Sequence, residues 1–295
     1  MGSLDGRVAI ITGAGRGIGR EHALLFAAEG ARVVVNDLGG ANDGTGTDLT
    51  PAQEVVEEIR RMGGEAIVNG DDVADWEGGQ RLVNAAIEAF GDLDILVNNA
   101  GILRDRVLVN MTEEEWDAVV TVHLKGHFVP TRWAAAYWRE QHKAGVTKPR
   151  HIVHTSSTSG LFSNPGQANY GAAKSGIATF SQIAAKELSR YNVKSNCIAP
   201  GARTRLTLAT PGLDEVIAPP KDAGAFDIWD PANISPLVAY LSSERCAFTG
   251  ETFFVQGGTV TKFESWAFGP KIEQNDRWSV DALADALAPM ATPPE

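Results

Sequence analysis

The chain has 295 residues and an ordinary apolar content of 43 %, enough for one large α/β domain with a buried core. A formal charge of −11 disfavours a phosphate-backbone ligand, two cysteines (Cys197 and Cys246) argue against a disulfide scaffold, and no apolar run approaches a membrane span. The start lacks the charged and apolar regions of a secretory signal, so a cytoplasmic protein that binds neither nucleic acid nor membrane is expected.

Taken in order, Arg7 to Thr12 is a short β-branched run expected to form a buried strand. It enters Gly13-Ala-Gly-Arg-Gly-Ile-Gly19, with a helix pattern from Ile18 to Glu29. A glycine-rich turn between strand and helix lets a backbone approach a pyrophosphate at the helix N-terminus; the plain alternative is a tight turn. Ala31 to Asn36 is a second strand ending at Asp37, where a carboxylate would hold a ribose 2′-hydroxyl and repel a 2′-phosphate. NAD is therefore expected over NADP, with Arg16 in the turn as a cation that partly offsets the repulsion.

Leu38 to Pro51 is a long polar loop, and Pro51 suits the first turn of a helix running to about Met62. Glu65 to Gly70 is a third strand, followed by Asp72 and Val73, which either flank an adenine ring or cap a helix. A helix over Asp75–Phe90 leads to a fourth strand, Asp94 to Asn98, closing in Asn98-Asn-Ala-Gly101; Asn99, Ala100 and Gly101 would let the chain pass close to a cofactor. Thr112 opens a helix with a capping pattern and continues past Trp116, Val120 and Leu124 towards Trp138, its apolar positions covering more than one face.

A fifth strand, His151 to Ser156, delivers the hydroxyls of Thr155 to Ser159. The next helix carries Tyr170 and Lys174, four residues apart and so on one face. An ammonium beside a phenol favours the phenolate and could make Tyr170 a base, although such a pair also occurs by accident on amphipathic helices. Val193 to Ala199 is strand six, closed by Pro200 and Gly201. Thr204 to Asn233 is expected to be a lid or substrate loop with short helices, and a helix from Pro231 ends near Ser243. Glu251 to Val255 is strand seven, turned at Gly257-Gly258. Beyond Thr261 an arm packed on the body is expected, with a helix at Val280–Leu287 and a disordered tail from Pro289. The alternation implies a Rossmann-type, doubly wound, seven-stranded parallel sheet with helices on both faces, a single domain (1–260) with a C-terminal arm (261–295). The histidines show no metal-ligand spacing, so no metal is expected.

Thr12 to Gly19, Asn98 to Gly101, Ser157, Tyr170-Gly-Ala-Ala-Lys174 and Pro200-Gly201, in this order, resemble the short-chain dehydrogenase/reductase family over roughly residues 5 to 260. Val34 to Gly40, Asn98 to Arg106, Val122 to Gly126 and Gly166 to Tyr170 look most like the (3R)-hydroxyacyl-CoA and 17β-hydroxysteroid dehydrogenase domain of the peroxisomal multifunctional enzyme and its bacterial relatives. The resemblance implies an NAD-dependent oxidation of a secondary alcohol in lipid or steroid breakdown. It implies Tyr170 as acid/base, Lys174 lowering its pKa and holding the nicotinamide ribose, and Ser157 orienting the substrate oxygen. Gly13, Arg16, Gly17, Ile18, Gly19, Asp37, Asp72, Val73, Asn99, Ala100, Gly101, Pro200, Gly201 and Thr204 match cofactor positions. His123 stands where the family usually has the asparagine of a proton relay; it either holds the relay water or packs while the backbone carbonyl does so.

Two rival functions share parts of the pattern: an NADPH-dependent ketoreductase of fatty acid or polyketide synthesis, and a non-catalytic nucleotide-binding scaffold. The substrate is expected to be a CoA thioester or a steroid, with Leu206, Leu208, Leu213, Ile217, Phe226 and Trp229 as apolar walls. Relatives of this kind form dimers or tetramers through two long helices, and Trp133, Tyr137 and Trp138 suit such burial.

Overall fold

Alternate residues of the first strand divide the molecule into two faces. In the computed structural model, which describes residues 2–208, 215–222, 224–264 and 266–291, β1 (Val8–Thr12) sends Ala9 and Ile11 into one apolar cluster and Val8 and Ile10 into another. β2 (Arg32–Asn36) divides Val33 and Val35 from Val34 in the same way. Strands covered on both faces have no polar side to show, so they appear in the sequence as unbroken β-branched runs.

The first face is covered by α1 (Gly17–Ala28) and α2 (Thr50–Arg61), which contribute Phe26, Val55 and Ile59. β3 (Ala66–Asn69) follows, and then α3 (Trp76–Phe90), which covers the second face with Leu82, Val83 and Ala86. β4 (Ile95–Asn98) leads to α4 (Glu113–Val120), whose capping box joins Thr112 and Glu115 as the sequence indicated.

The single helix expected from Thr112 to Trp138 is not continuous. A π-helical turn, Thr121–Lys125, separates α4 from α5 (Gly126–Lys143) and holds the buried His123. Pro130 lies inside α5 and has no N–H to offer the Gly126 carbonyl, so the regular ladder is already broken there.

β5 (Arg150–Thr155), α6 (Thr158–Phe162), α7 (Ala168–Leu188), β6 (Val193–Pro200), α8 (Arg205–Leu208), α9 (Ser235–Leu241) and β7 (Thr252–Gln256) complete the alternation. The sheet has eight strands, not seven, in the order β3-β2-β1-β4-β5-β6-β7-β8. The added strand β8 (Thr259–Lys262) turns back at Gly257 and pairs antiparallel with β7; its last two residues fall in the stretch expected to be the arm. All other pairings are parallel. Strand order reverses between β1 and β4, which places a crevice above their carboxyl ends.

The opposite, amino ends of the strands are closed by charge. Arg150, 2 % exposed, donates to Asp92 (2.7 Å), to Asp94 (2.8 Å) and to the Leu93 carbonyl. Lys148 reaches the same two carboxylates, and the other Asp94 oxygen accepts the Val8 amide at 2.9 Å. Tyr137 donates to Asp92 (2.9 Å) and the Trp138 indole to the Leu93 carbonyl (2.7 Å). Trp133 donates to the Trp76 carbonyl at 2.9 Å. These three aromatics, expected at a subunit contact, are thus engaged inside their own chain, and Trp138 is 1 % exposed.

The chain divides into two compact units, Met1–Phe263 and Glu264–Glu295. In the second, α10 (Val280–Leu287) is capped by Ser279 and Ala288–Met290 adds a 3-10 turn; residues 292–295 of the tail expected to be disordered lie outside the described residues. Among the described residues no helix is long and apolar enough to cross a membrane.

Candidate active site

The crevice begins at the glycine-rich turn. The Thr12 hydroxyl accepts the amides of Asn99 (2.9 Å) and Ala100 (3.1 Å), stapling the end of β4 to the end of β1. The Asn99 side chain returns the contact, donating to the carbonyls of Thr12 (3.0 Å) and Gly13 (3.2 Å). A Cβ at Gly19 would stand 2.2 Å from the Gly13 carbonyl oxygen, so only glycine lets α1 start this close to the turn. No side chain caps α1, whose first residues Gly17, Ile18 and Gly19 line the pocket. Uncapped amides at a helix N-terminus are donors for a phosphate oxygen, so the cradle fits a dinucleotide.

Asp37 also lines the pocket, but its carboxylate is braced: one oxygen accepts the Gly15 amide and the other the Gly39 amide, both at 2.7 Å. Arg16 turns to Asp48, 3.8 Å away, in the loop beyond. That loop is pinned over the pocket by Asn42, whose carbonyl accepts the Leu103 amide (3.0 Å) and whose side chain donates to the Arg205 carbonyl (3.2 Å). Asp72 and Val73 line the pocket; Asp72 accepts the Ala74 amide (2.8 Å), while the cap of α3 is Asp75.

At the other end stand Ser157, Tyr170, Lys174 and His123, all on the pocket wall. The Lys174 ammonium donates to the Thr155 carbonyl (2.7 Å) and lies 5.4 Å from the centre of the Tyr170 ring. Burial pushes the phenol up to about 12, with the Ser157 hydroxyl pulling it back and the Asp105 charge adding to the rise. Burial pushes Lys174 down to about 7. An ammonium in this position favours the phenolate over the neutral phenol.

His123 is committed to the backbone. Its Nε2 is 3.1 Å from the Ile102 nitrogen and 2.7 Å from the Ile102 oxygen, and its ring stands perpendicular to Tyr170 with centroids 5.1 Å apart. A Cβ at Gly101 would lie 2.3 Å from the His123 ring, so that glycine makes room for it. Burial and then the Lys174 charge hold the imidazole well below its usual pKa, against the pull of the Ile102 carbonyl.

Ala100, Pro200 and Thr204 also line the pocket, as does Gly13; Gly201 does not. A side chain at Gly201 would face Gln256 instead. Of the expected apolar walls, Leu206 lines the pocket. Ile217 is buried and its carbonyl accepts Arg203 (2.8 Å), whereas Leu208 and Phe226 are exposed. Arg203 pairs with Asp227 and its amide donates to the Trp229 carbonyl (2.7 Å), which folds this segment onto itself. Leu213 lies outside the described residues.

Sequence reasoning missed the residues that hold the site in place. Asn169, fully buried, donates to the carbonyls of Arg104 and Glu115 (both 3.0 Å) and accepts the Tyr170 amide (2.7 Å), fixing the first turn of α7. Ser156 donates to the Lys174 carbonyl at 2.7 Å. Asn36, at the end of β2, donates to Asn69 Oδ1 (2.8 Å) and the Asp71 carbonyl (2.9 Å). Polar residues at strand ends and helix starts were the available signal. Among the described residues no group of three or more His, Cys, Asp or Glu is placed to hold a metal.

Comparison with known proteins agrees with this geometry. The family model described as short chain dehydrogenase matches residues 7–209. Hydroxyacyl-CoA dehydrogenase ChsB1 of Mycobacterium tuberculosis is 44 % identical over 265 residues, 88 % of this chain and 80 % of that protein. Peroxisomal multifunctional enzyme type 2 of Drosophila melanogaster is 46 % identical over 88 % of this chain, which spans only 40 % of that longer protein. The crystal structure of a short chain dehydrogenase from Mycobacterium avium superposes with a TM-score of 0.87 at 49 % identity, covering 100 % of this chain and 98 % of that one. The chain belongs to the short-chain dehydrogenase/reductase family of oxidoreductases, which use nicotinamide cofactors.

Proposed function

We propose that the protein oxidises a secondary alcohol to a ketone with NAD, and that the alcohol is borne by a 3-hydroxyacyl-CoA thioester or a hydroxysteroid. The observation that carries this reading is the gathering of Ser157, Tyr170, Lys174 and His123 at one end of a pocket whose other end is the glycine cradle and Asp37. A nicotinamide cofactor held there would supply the acceptor for the hydride leaving the alcohol carbon. Tyr170 takes the hydroxyl proton, and the Lys174 ammonium stabilises the phenolate that would otherwise be disfavoured by burial. Ser157 orients the substrate oxygen by hydrogen bonding. His123 packs against Tyr170 and fixes the Ile102 backbone.

NAD is favoured by the Asp37 carboxylate at the end of β2, held in place by two amides and not neutralised by Arg16, which faces Asp48. The acyl-CoA or steroid class is supported by likeness to ChsB1 and the multifunctional enzyme. The test is initial-rate turnover of 3-hydroxyacyl-CoA esters and hydroxysteroids with NAD and with NADP. Faster turnover with NADP overturns the cofactor assignment, and inactivity on both substrate classes overturns the substrate assignment. His123→Ala should keep the shape of the pH profile; a displaced profile would make its ring part of the proton route.

A further inference from the structure

Outside the pocket lining, two more histidines are buried beside Lys174. His127 on α5 and His154 on β5 are 1 % and 0 % exposed, and their rings stack with centroids 5.7 Å apart at 23°. His127 Nε2 lies 3.4 Å from the Thr155 nitrogen and accepts its N–H, while the carbonyl of the same Thr155 accepts the Lys174 ammonium at 2.7 Å. His154 Nδ1 lies 3.3 Å from the Asn98 amide nitrogen, which also donates to Thr131 (3.0 Å). The last residue of β5 is thus gripped from α5 by an imidazole and from α7 by the lysine.

An imidazole that accepts from an N–H must carry its lone pair there, so His127 is neutral, with its proton on Nδ1. The groups facing it from the neighbouring elements are Lys174 on α7, His154 on β5 and His123 on the π turn, all of which oppose a positive charge on it; the His123 carbonyl pulls the other way. Packing alone does not require this residue. Burying an imidazole here desolvates two polar ring nitrogens, a cost that an apolar ring would not incur.

We propose that His127 is a positioning residue: as a neutral imidazole it fixes the Thr155 N–H, and through Thr155 it holds the carbonyl on which the Lys174 ammonium hangs beside Tyr170. The proposal rests on the reading of Lys174 as the group that charges Tyr170. The test measures kcat, KM for NAD and for the alcohol, and the pH profile of kcat/KM in His127→Phe and His127→Gln, with Lys174→Met as control. Phenylalanine keeps the stacked ring and loses the acceptor; glutamine keeps an acceptor that does not titrate.

The expected result is a kcat lowered roughly tenfold in His127→Phe, with both KM values within about twofold and the pH limb displaced. His127→Gln should recover kcat to within roughly threefold. Wild-type kcat and pH profile in His127→Phe would overturn the proposal. If His127→Phe does not fold, a folded His127→Gln with kcat down tenfold or more overturns it equally, and recovery in His127→Gln supports it. A fully active Lys174→Met would instead overturn the catalytic reading, and an inactive Lys174→Met beside an unaffected His127→Phe would remove the positioning role alone.

Discussion

The two ends of the sheet bury polar groups in opposite ways. At the amino ends of β1, β4 and β5, opposite charges touch: Arg150 and Lys148 share Asp92 and Asp94. At the carboxyl ends, Lys174, His123, His127 and His154 are buried with carbonyls, amides and one another. The consequences for protonation diverge. Burial alone would raise Asp92, but hydrogen bonds from Arg150 and Lys148 overcome it and bring the carboxyl down to about 2. Burial at the other end drives groups towards neutrality, Lys174 to about 7 and His154 to about 3. Paired charge makes one end rigid; charge held close to neutrality makes the other able to move a proton.

The comparison breaks most sharply under one substitution at each end. Tyr170→Phe should lower kcat by about a thousandfold while leaving the urea midpoint unchanged. Arg150→Met leaves Asp92 and Asp94 without their buried partner and should cost about 3–5 kcal/mol of stability, with kcat per folded molecule nearly intact. Turnover and urea denaturation on both variants check this. A large stability loss in Tyr170→Phe, or a dead but stable Arg150→Met, would erase the distinction between the ends.

Lys174 gives the second test. Its folded pKa lies near 7, below the unfolded value of 10.5, so between these pH values the unfolded chain binds the proton that the folded chain has released. Its contribution to stability therefore rises with pH across that window, by at most ~5 kcal/mol, and between pH 7 and 9, where Cys197 does not yet oppose it, the rise should vanish in Lys174→Met. A variant that keeps the slope would place the titration elsewhere.

Acid separates the buried histidines, of which His151 lies at the amino end of β5 and His154 towards its carboxyl end, from the paired carboxylates. His22, His151 and His154 sit near 3 when folded, against 6.5 when unfolded. Their contribution is complete above 6.5 and is lost as pH falls towards 3. The Asp92 contribution, ~2 kcal/mol, is lost only as pH falls from 3.8 towards 2. Urea midpoints measured between pH 7 and 2 should fall first in the histidine window, and His154→Phe should flatten that early fall. A single loss confined below pH 4 would contradict it.

The fold was legible because parallel strands buried on both faces and helices of regular spacing leave strong patterns, and the chemistry was legible at Tyr170, Lys174 and the glycine turn because those residues must touch cofactor or substrate. What was not legible depends on partners far apart in sequence. Asn169 is a plain helix-start residue until its carbonyl partners at Arg104 and Glu115 are in place. Five of the six histidines, His22, His123, His127, His151 and His154, are buried, yet their spacing shows neither burial nor tautomer. β8 was missed because its four residues are exposed and carry no apolar alternation. The π turn was missed because the apolar positions of this helix cover more than one face, so there was no single stripe for the turn to displace.

The smallest expected effect tests how far charge reaches at the carboxyl end. Asp105 is exposed, yet partial burial of its carboxyl raises its pKa against a hydrogen bond from Gln167 (2.7 Å), and its charge in turn raises Tyr170. Asp105→Asn keeps an oxygen for Gln167 and removes the charge. A phenol relieved of a nearby negative charge ionises more easily, so the rising limb of kcat/KM for alcohol oxidation should move to lower pH by a few tenths of a unit, with stability unchanged. Titration of kcat/KM in wild type and variant measures it. A shift of a full unit would mean that Asp105 rivals Lys174 in setting the phenol, and that the carboxyl end is a paired network after all. No shift would mean that the tyrosine responds only to the lysine and hydroxyl beside it, so that the difference between the two ends is set by contact and not by field.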